Sequence, residues 1–288
     1  MAGPNELRRH IAAVEQTKKI TGAMEMVSSN RMRQVMSHID QNRLYFSNVR
    51  RMMRTLLTLS SDIYHPYLVG RPRHRTTFMV MSGDKGLCGS HNANVLNYAH
   101  KRFTESPDSS LITLGNTAED FFHARGIHPD VSLLGIVQDP TLTKAREVAE
   151  MLTNLYDREI TDDIHVIYTS FYGETKSKPV EFRLLPIRLH DYDDVLDAEM
   201  LQSMLYHPSP QSVFDILVPQ YTIGLVFGVM VQAYASEHFA RMNAMNSATT
   251  NAQEMLSDLN IRYNLARQSA ITNEIAEITG AAKIIHNA

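Results

Sequence analysis

Proline is missing from two long stretches of this chain, and that absence constrains the fold more than any other feature. From Asn5 to His65 there is no proline and one glycine, Gly22. From Gln220 to Ala288 there is again no proline, and glycine occurs only at Gly224, Gly228 and Gly280. A helix runs that far only where proline is kept out, because proline removes a backbone donor and clashes with the preceding turn. At about 1.5 Å per residue, such stretches would extend roughly 80 and 100 Å. Two helices of that length, at opposite ends of a chain, do not fold into one small core. They predict long terminal helices with everything compact between them.

Composition narrows the class. The chain has 288 residues, 43% hydrophobic and 20% charged, which is the composition of a folded protein with length enough for a sizeable core. The single cysteine, Cys88, excludes an internal disulfide and fits a reducing compartment. The N-terminal residues lack the apolar core of a signal peptide, and Glu6 and Glu15 argue against a transit peptide. The longest apolar run, Tyr221 to Ala235, is broken by Gln232 and is short for a bilayer span. The formal net charge of −3 conceals a division. Residues 1–59 hold ten Lys/Arg against four Asp/Glu, a balance of +6; residues 213–288 hold four against six, −2; the middle therefore carries −7. A basic rod beside an acidic middle suits nucleic acid, a membrane surface or an acidic protein partner, and equally suits a solvated helix face.

The first helix carries a seam at 3–4 spacing. It runs through Leu7, Ile11, Val14, Lys18, Thr21, Glu25 and Ser28, then Met32, Val35, Ile39, Asn42, Phe46, Val49, Met53 and Leu56. Ten of these fifteen positions are apolar, as a coiled-coil seam requires. The polar ones cluster between 18 and 28, around Gly22, which predicts contact there with a second, different partner. Asn5 is the expected N-cap. The last helix carries small residues at steps of four, Gly224, Gly228, Ser236, Ala240, Ala244, Ala248 and Ala252, with Gln232 the one larger member. Such steps drift about 40° each on a 3.6-residue helix, so the stripe winds round the helix. Ile271, Ile275, Ile278, Ala282 and Ile285 then return to 3–4 spacing. Pro208, Pro210 and Pro219 mark where this helix begins. Because the chain leaves and returns, the two helices are expected to wrap one another antiparallel.

Strand and helix patterns alternate between them. Strands are expected at 76–82, 111–114, 131–136, 164–171 and 180–187, and helices at 92–105, 117–125 and 142–158. Alternation implies a mainly parallel sheet with helical cover, and the short polar turn at 173–178 makes the last two strands an antiparallel edge pair. The expected architecture is an α/β (Rossmann-like) domain inserted between two long terminal helices that form an antiparallel coiled coil. Its expected bounds are 1–60, 76–206 and 212–288.

The most site-like segment is the Gly-rich turn Ser82 to Gly89, placed after the first strand where α/β sheets bind ligands. Its spacing matches neither the dinucleotide fingerprint nor the P-loop. Ser82 and Lys85 match an acyl-enzyme pair without its Lys-Thr-Gly companion, and Cys88 has His91 as its nearest candidate base. Asp191, Asp193, Asp194 and Asp197 resemble a cation loop, but Leu196 stands where the EF-hand requires glycine. None of the thirteen histidines forms a spaced metal motif. Met24 and Met26 read as adaptable packing residues. The residues alone thus leave two classes open: an interaction protein without a reaction of its own, and an α/β enzyme with a site at Ser82–Gly89 and a coiled-coil dimerisation arm.

Three separated motifs in register decide between them. They are Lys19-Ile-Thr-Gly-Ala-Met-Glu-Met-Val27, Gly86-Leu-Cys-Gly89 with Asn92, and the run from Arg241 to Ala252 continued by Arg262 to Glu274. Together they resemble the gamma subunit of F-type ATP synthase, along essentially the whole chain. The resemblance implies a central-stalk rotor, non-catalytic itself, that couples ion flow to ATP synthesis or hydrolysis at beta subunits by rotation. It implies no catalytic residue, cofactor or metal, and no nucleic acid partner. The implied partners are three alpha and three beta subunits, an epsilon subunit and a ring of membrane c subunits. Membrane contact would come only through that complex, on the cytoplasmic face of a bacterial inner membrane. Carried over by position, Lys18, Lys19, Met24, Arg31 and Arg33 would face the acidic lever loop of beta. Arg267, Gln268 and Thr272 would meet its catch region. The chain departs from the family's pattern at Gly22, where Lys or Arg is usual, and at His91 and Asn273, where Gly and Gln are common.

Overall fold

A computed structural model describes residues 3–60, 62–72, 75–171, 177–188 and 207–286. The elements are α1 (Pro4–Leu59), β1 (Thr76–Met81), α2 (His91–Thr104), β2 (Ser109–Leu114), α3 (Asn116–His123), β3 (Val131–Leu133), α4 (Leu142–Asp157), β4 (Asp163–Phe171), β5 (Ser177–Leu185) and α5 (Pro210–His286). Contacts divide the chain into two units: Met1–Ser28 with Arg241–Ala288, and Ser29–Ala240.

The second unit is built on a five-stranded sheet of order β3-β2-β1-β4-β5. Strands β1 to β4 are parallel, and β5 runs antiparallel against β4 with an irregularity at Ile164/His165. The predicted edge pair is therefore present; most of its predicted turn and the whole Asp191–Asp197 segment lie outside the described residues. Strand β2 begins at Ser109, earlier than the apolar run announces, because Thr77 and Ser110 pair their hydroxyls at 2.7 Å. One face of the sheet buries Phe78, Val80, Leu111 and Ile167 under α2 and α3. The other buries Met79, Met81, Ile112 and Val166 under α4, with Met53 and Leu56 of α1 and Phe214, Val218 and Tyr221 of α5. Strands covered on both faces read as continuous apolar runs, which is how TTFMVM reads in β1.

Three clasps hold the periphery of this unit. Gln211 donates to the Tyr64 carbonyl (2.8 Å) and accepts from the Tyr64 amide (3.1 Å), tying the end of the α1 linker to the first turn of α5. Arg71 stacks over the Tyr156 ring at 4.1 Å and donates to its carbonyl at 2.6 Å. Glu181 on β5 receives His165 Nδ1 at 2.6 Å and Arg102 Nη2 at 3.1 Å, joining β4, β5 and α2. Burial alone would push the Glu181 carboxyl up; the His165 and Arg102 hydrogen bonds outweigh it and hold it at about 2.

Two expectations about α5 need correction. The helix begins at Pro210, two residues before the expected bound of 212, and Pro219, expected to help mark its start, lies inside it. An interior proline costs about 3 kcal/mol by removing a donor and crowding the preceding turn. Here Phe214, Val218 and Tyr221 around it are fully buried, each contributing about 1.5–3 kcal/mol, so packing outweighs the defect. Secondly, α5 does contain a stretch long and apolar enough, by length and composition, to cross a membrane; 44% of that window is buried within the molecule. At the other end of the chain, α1 starts at Pro4, so Asn5 is a first-turn residue and not the cap. Pro4 takes the position where a missing N–H costs nothing.

The first unit pairs the start of α1 with the second half of α5. Leu7 and Val14 pack against Ala252, Leu256 and Leu259, with Ile11 and Tyr263 at the margin. Lys18 donates to Gln253, and the Thr21 and Thr249 hydroxyls lie 2.8 Å apart. Ascending numbers on α1 meet descending numbers on α5, so the pairing is antiparallel.

Candidate functional site

The Ser82–Gly89 turn follows β1 at the carboxyl end of the parallel strands, the place where such sheets bind ligands. Several of its polar groups are bonded within the molecule, although Asp84 Oδ2 is buried with no hydrogen-bond partner among the described residues. Asn92 accepts from the Gly83 amide at 3.0 Å and donates to the Lys85 carbonyl at 3.3 Å. Ser82 and Thr117 pair their hydroxyls at 2.8 Å, and Thr117 also reaches the Gly83 carbonyl. Asp84 accepts from the Asn116 amide at 2.9 Å, supplying the cap that Gly115 cannot give to α3. Gly115 sits at φ 101°, where a Cβ would lie 2.3 Å from the Ser82 carbonyl oxygen. The buried Cys88 thiol rests 4.0 Å from the Lys85 carbonyl, a weak-donor contact. The turn is thus an interlock joining β1, α2 and α3. At its tip Leu87 is exposed and adopts φ 62°, a costly conformation for a bulky side chain.

The residues assigned by resemblance fall in three places. Lys18 is half-buried and holds Gln253, while Lys19 on the adjoining position is exposed and Met24 half-buried. Arg267, Gln268 and Thr272 are exposed on α5; Thr272 donates to the Gln268 carbonyl of its own helix at 2.9 Å. Nineteen residues of α5 separate Gln253 from Thr272, a rise of roughly 28 Å, so these two groups form separate patches. Arg31 and Arg33 belong to the other unit and are exposed, with Arg33 donating to Ser29 at 3.2 Å.

Within the polar interval at 18–28, Thr21 and Ser28 are buried and Thr21 is matched by Thr249, while Lys18 and Glu25 are half-buried. Beside the exposed Lys19, apolar residues also face solvent there: Ile20, Met26 and Val27 are all exposed. Sequence reasoning passed over Ile20 and Val27; the signal was present, since apolar residues off a polar seam have no helix to cover them. A second exposed apolar series, Ile261, Leu265, Ile271, Ile275 and Ile278, occupies the end of α5. From Ile271 to Ile278 its spacing is the 3–4 of a packed helix, yet every residue from 271 to 279 is exposed. Among the described residues no group of three or more metal-capable side chains occurs.

The chain is similar to known proteins in sequence and in fold. The curated relatives include the ATP synthase gamma chain of Heliobacterium modesticaldum, 34% identical over 286 residues and covering 98% of this chain and 99% of the relative. The ATP synthase gamma chain of Symbiobacterium thermophilum is 36% identical over 282 residues, covering 97% of each. Among solved structures, the rotor of the Euglena gracilis mitochondrial ATP synthase superposes with a TM-score of 0.68 at 17% identity, over 93% of this chain and 98% of that one. The central stalk of the Tetrahymena thermophila mitochondrial enzyme gives 0.62 at 21% identity, over 80% and 99%. At such identities the structural likeness speaks for the fold, and the sequence likeness carries the family. The ATP synthase family matches residues 4–285, and with gamma chains aligned over nearly its full length the chain belongs to the ATP synthase gamma family.

Proposed function

We infer that the chain is the central-stalk rotor subunit of an F-type ATP synthase, coupling ion flow to ATP synthesis or hydrolysis by rotation without carrying out the reaction itself. The family match over residues 4–285 carries this reading. The bonds that Ser82, Asn92 and Asp84 Oδ1 make in holding β1, α2 and α3 support its non-catalytic part. The functional division follows the expected bounds: helix 1–60 and helix 212–288 as an antiparallel coiled-coil shaft, and 76–206 as the foot. Lys18, Lys19, Met24, Arg31 and Arg33 act toward an acidic surface of beta, and Arg267, Gln268 and Thr272 toward a second beta contact. The outward-facing Ile261, Leu265, Ile271, Ile275 and Ile278 support an enclosing partner around the end of α5, because a soluble helix rarely leaves such a series in water. Three alpha and three beta subunits supply that enclosure; the foot meets epsilon and the membrane c ring. The complex lies on the cytoplasmic face of a bacterial membrane, and this chain touches the membrane only through it.

Purified chain, assayed alone for ATP binding and then mixed with alpha and beta subunits, tests the reading. The expected result is no ATP binding by the chain alone and a sevenfold-subunit ATPase assembly after mixing. Tight ATP binding alone, with no assembly, would sink it.

A further inference from the structure

Among the described residues, a close histidine pair that the function leaves unused lies at the end of α3. His123 is the last residue of α3, and His128 returns against it five residues later, their Nδ1 atoms 3.0 Å apart. The backbone builds this approach. Gly126, at φ 72°, follows the helix; its amide donates to the His123 carbonyl and the Ile127 amide to the Phe122 carbonyl, both at 3.0 Å. That pattern is the Schellman cap, and Ile127 completes it by packing beside Phe121 and Phe122. Two residues past His128 the chain is fixed again: the Asp130 carboxylate accepts from the Leu111 amide and the Asp130 amide donates to the Leu111 carbonyl, both at 2.8 Å. His128 therefore hangs between two anchored points, and its ring is delivered onto His123 by main-chain geometry.

We propose that His123 and His128 form a two-imidazole binding site for a divalent transition ion of the copper or nickel type, with Glu119 orienting the His123 ring. In the apo pair one Nδ1 donates and the other accepts, so a single proton occupies the space between them. A metal ion takes the place of that proton, which moves to the Nε2 of its own ring, so both imidazoles ligate as neutral Nε2–H tautomers. With metal–nitrogen bonds of about 2.0–2.1 Å, two nitrogens 3.0 Å apart subtend about 95° at the ion. That angle suits the tetragonal geometry of Cu(II) or Ni(II) better than the wider tetrahedral angle of zinc. The outer nitrogen of His123 has its own partner: Nε2 lies 3.8 Å from Glu119 Oε1, one turn earlier on α3. At 3.8 Å this is beyond hydrogen-bond distance, but the carboxylate stands on the side of the far nitrogen, where a small side-chain adjustment gives the usual support of a metal-bound imidazole. Both rings are exposed, so the ion has access and water completes its coordination. No third protein ligand joins them among the described residues, which makes this an open chelate and not a closed structural centre.

Calorimetric titration of the full chain with Ni²⁺, and electron paramagnetic resonance with one equivalent of Cu²⁺, test the proposal. The reference is the His123→Gln/His128→Gln double variant, because eleven other histidines remain in the sequence. The wild-type chain is expected to bind one Ni²⁺ at least about 10-fold more tightly than either single variant, with a copper spectrum showing two equatorial nitrogens. Glu119→Gln weakens binding about 10-fold while keeping both nitrogens in the spectrum. Equal Ni²⁺ affinity in the wild type and the double variant, or one nitrogen in the wild-type spectrum, overturns the site. Since both histidines are exposed, circular dichroism of the variants should be unchanged, and assembly with alpha and beta is a separate readout of the rotor reading.

Discussion

At Gly115 the backbone takes φ 101°, and the space a Cβ would fill belongs to the Ser82 carbonyl. Gly115→Ala therefore meets both conformational strain and a backbone clash, and is expected to cost more than about 3 kcal/mol. Thermal unfolding measures it; a loss under about 1 kcal/mol would mean that the β1–α3 interlock yields easily. Glu181 makes a pH-dependent prediction. Its folded-state value of about 2 lies below the ordinary 4.5, so its contribution is present above pH 4.5 and lost as pH falls from there through about 2. Glu181→Gln should destabilise the chain by about 2 kcal/mol at pH 7. In urea unfolding the gap between wild type and variant should shrink as pH drops below 4.5. A gap that stays constant with pH would show that the carboxylate charge is not what holds β5 to α2. Neither feature could be read from the sequence, because each depends on residues brought together by strand register: Ser82 with Gly115, and Glu181 with His165 and Arg102.

Among the elements, the helices were the more legible. Proline-free stretches predicted α1 and α5, and alternation predicted the parallel sheet with its antiparallel edge. Local rules misplaced the ends: Asn5 looked like a cap, and Pro219 looked like a boundary although core burial carries the helix through it. The polar interval of α1 was legible as polar, but not in its pairing within the chain. Thr21 finds its match in Thr249, 228 residues away, and nothing near Thr21 announces that partner. The pair makes an element-scale prediction. Thr21→Val alone leaves the Thr249 hydroxyl facing an apolar group and is expected to cost about 1 kcal/mol. Thr21→Val with Thr249→Val should cost less than the sum of the two single changes, since two apolar groups of the same shape replace a satisfied pair. Strict additivity in a double-mutant cycle would show that the hydroxyls do not interact.

For the whole molecule, the charge division in the sequence becomes a mechanical expectation. A rotating part that passes successive partners gains from long-range charge and loses from tight interdigitation, and charge at exposed positions is screened by salt. Arg31 and Arg33 are both exposed. Reversing both charges should reduce coupling, the ratio of ions pumped to ATP hydrolysed, more than it reduces assembly. Normal pumping and normal turnover in that variant would remove these two residues from the proposed contact. The candidate site was only half legible: its basic residues came from resemblance and position, whereas the outward apolar residues Ile20, Met26 and Val27 emerged once the seam was located. The measurement that bears most directly on the central claim is single-molecule rotation. A probe fixed to this chain through Cys88-independent labelling, in a complex immobilised by its beta subunits, is expected to turn in one direction with ATP and to pause three times per revolution. A complex that hydrolyses ATP at full rate while the probe stays still would contradict the account.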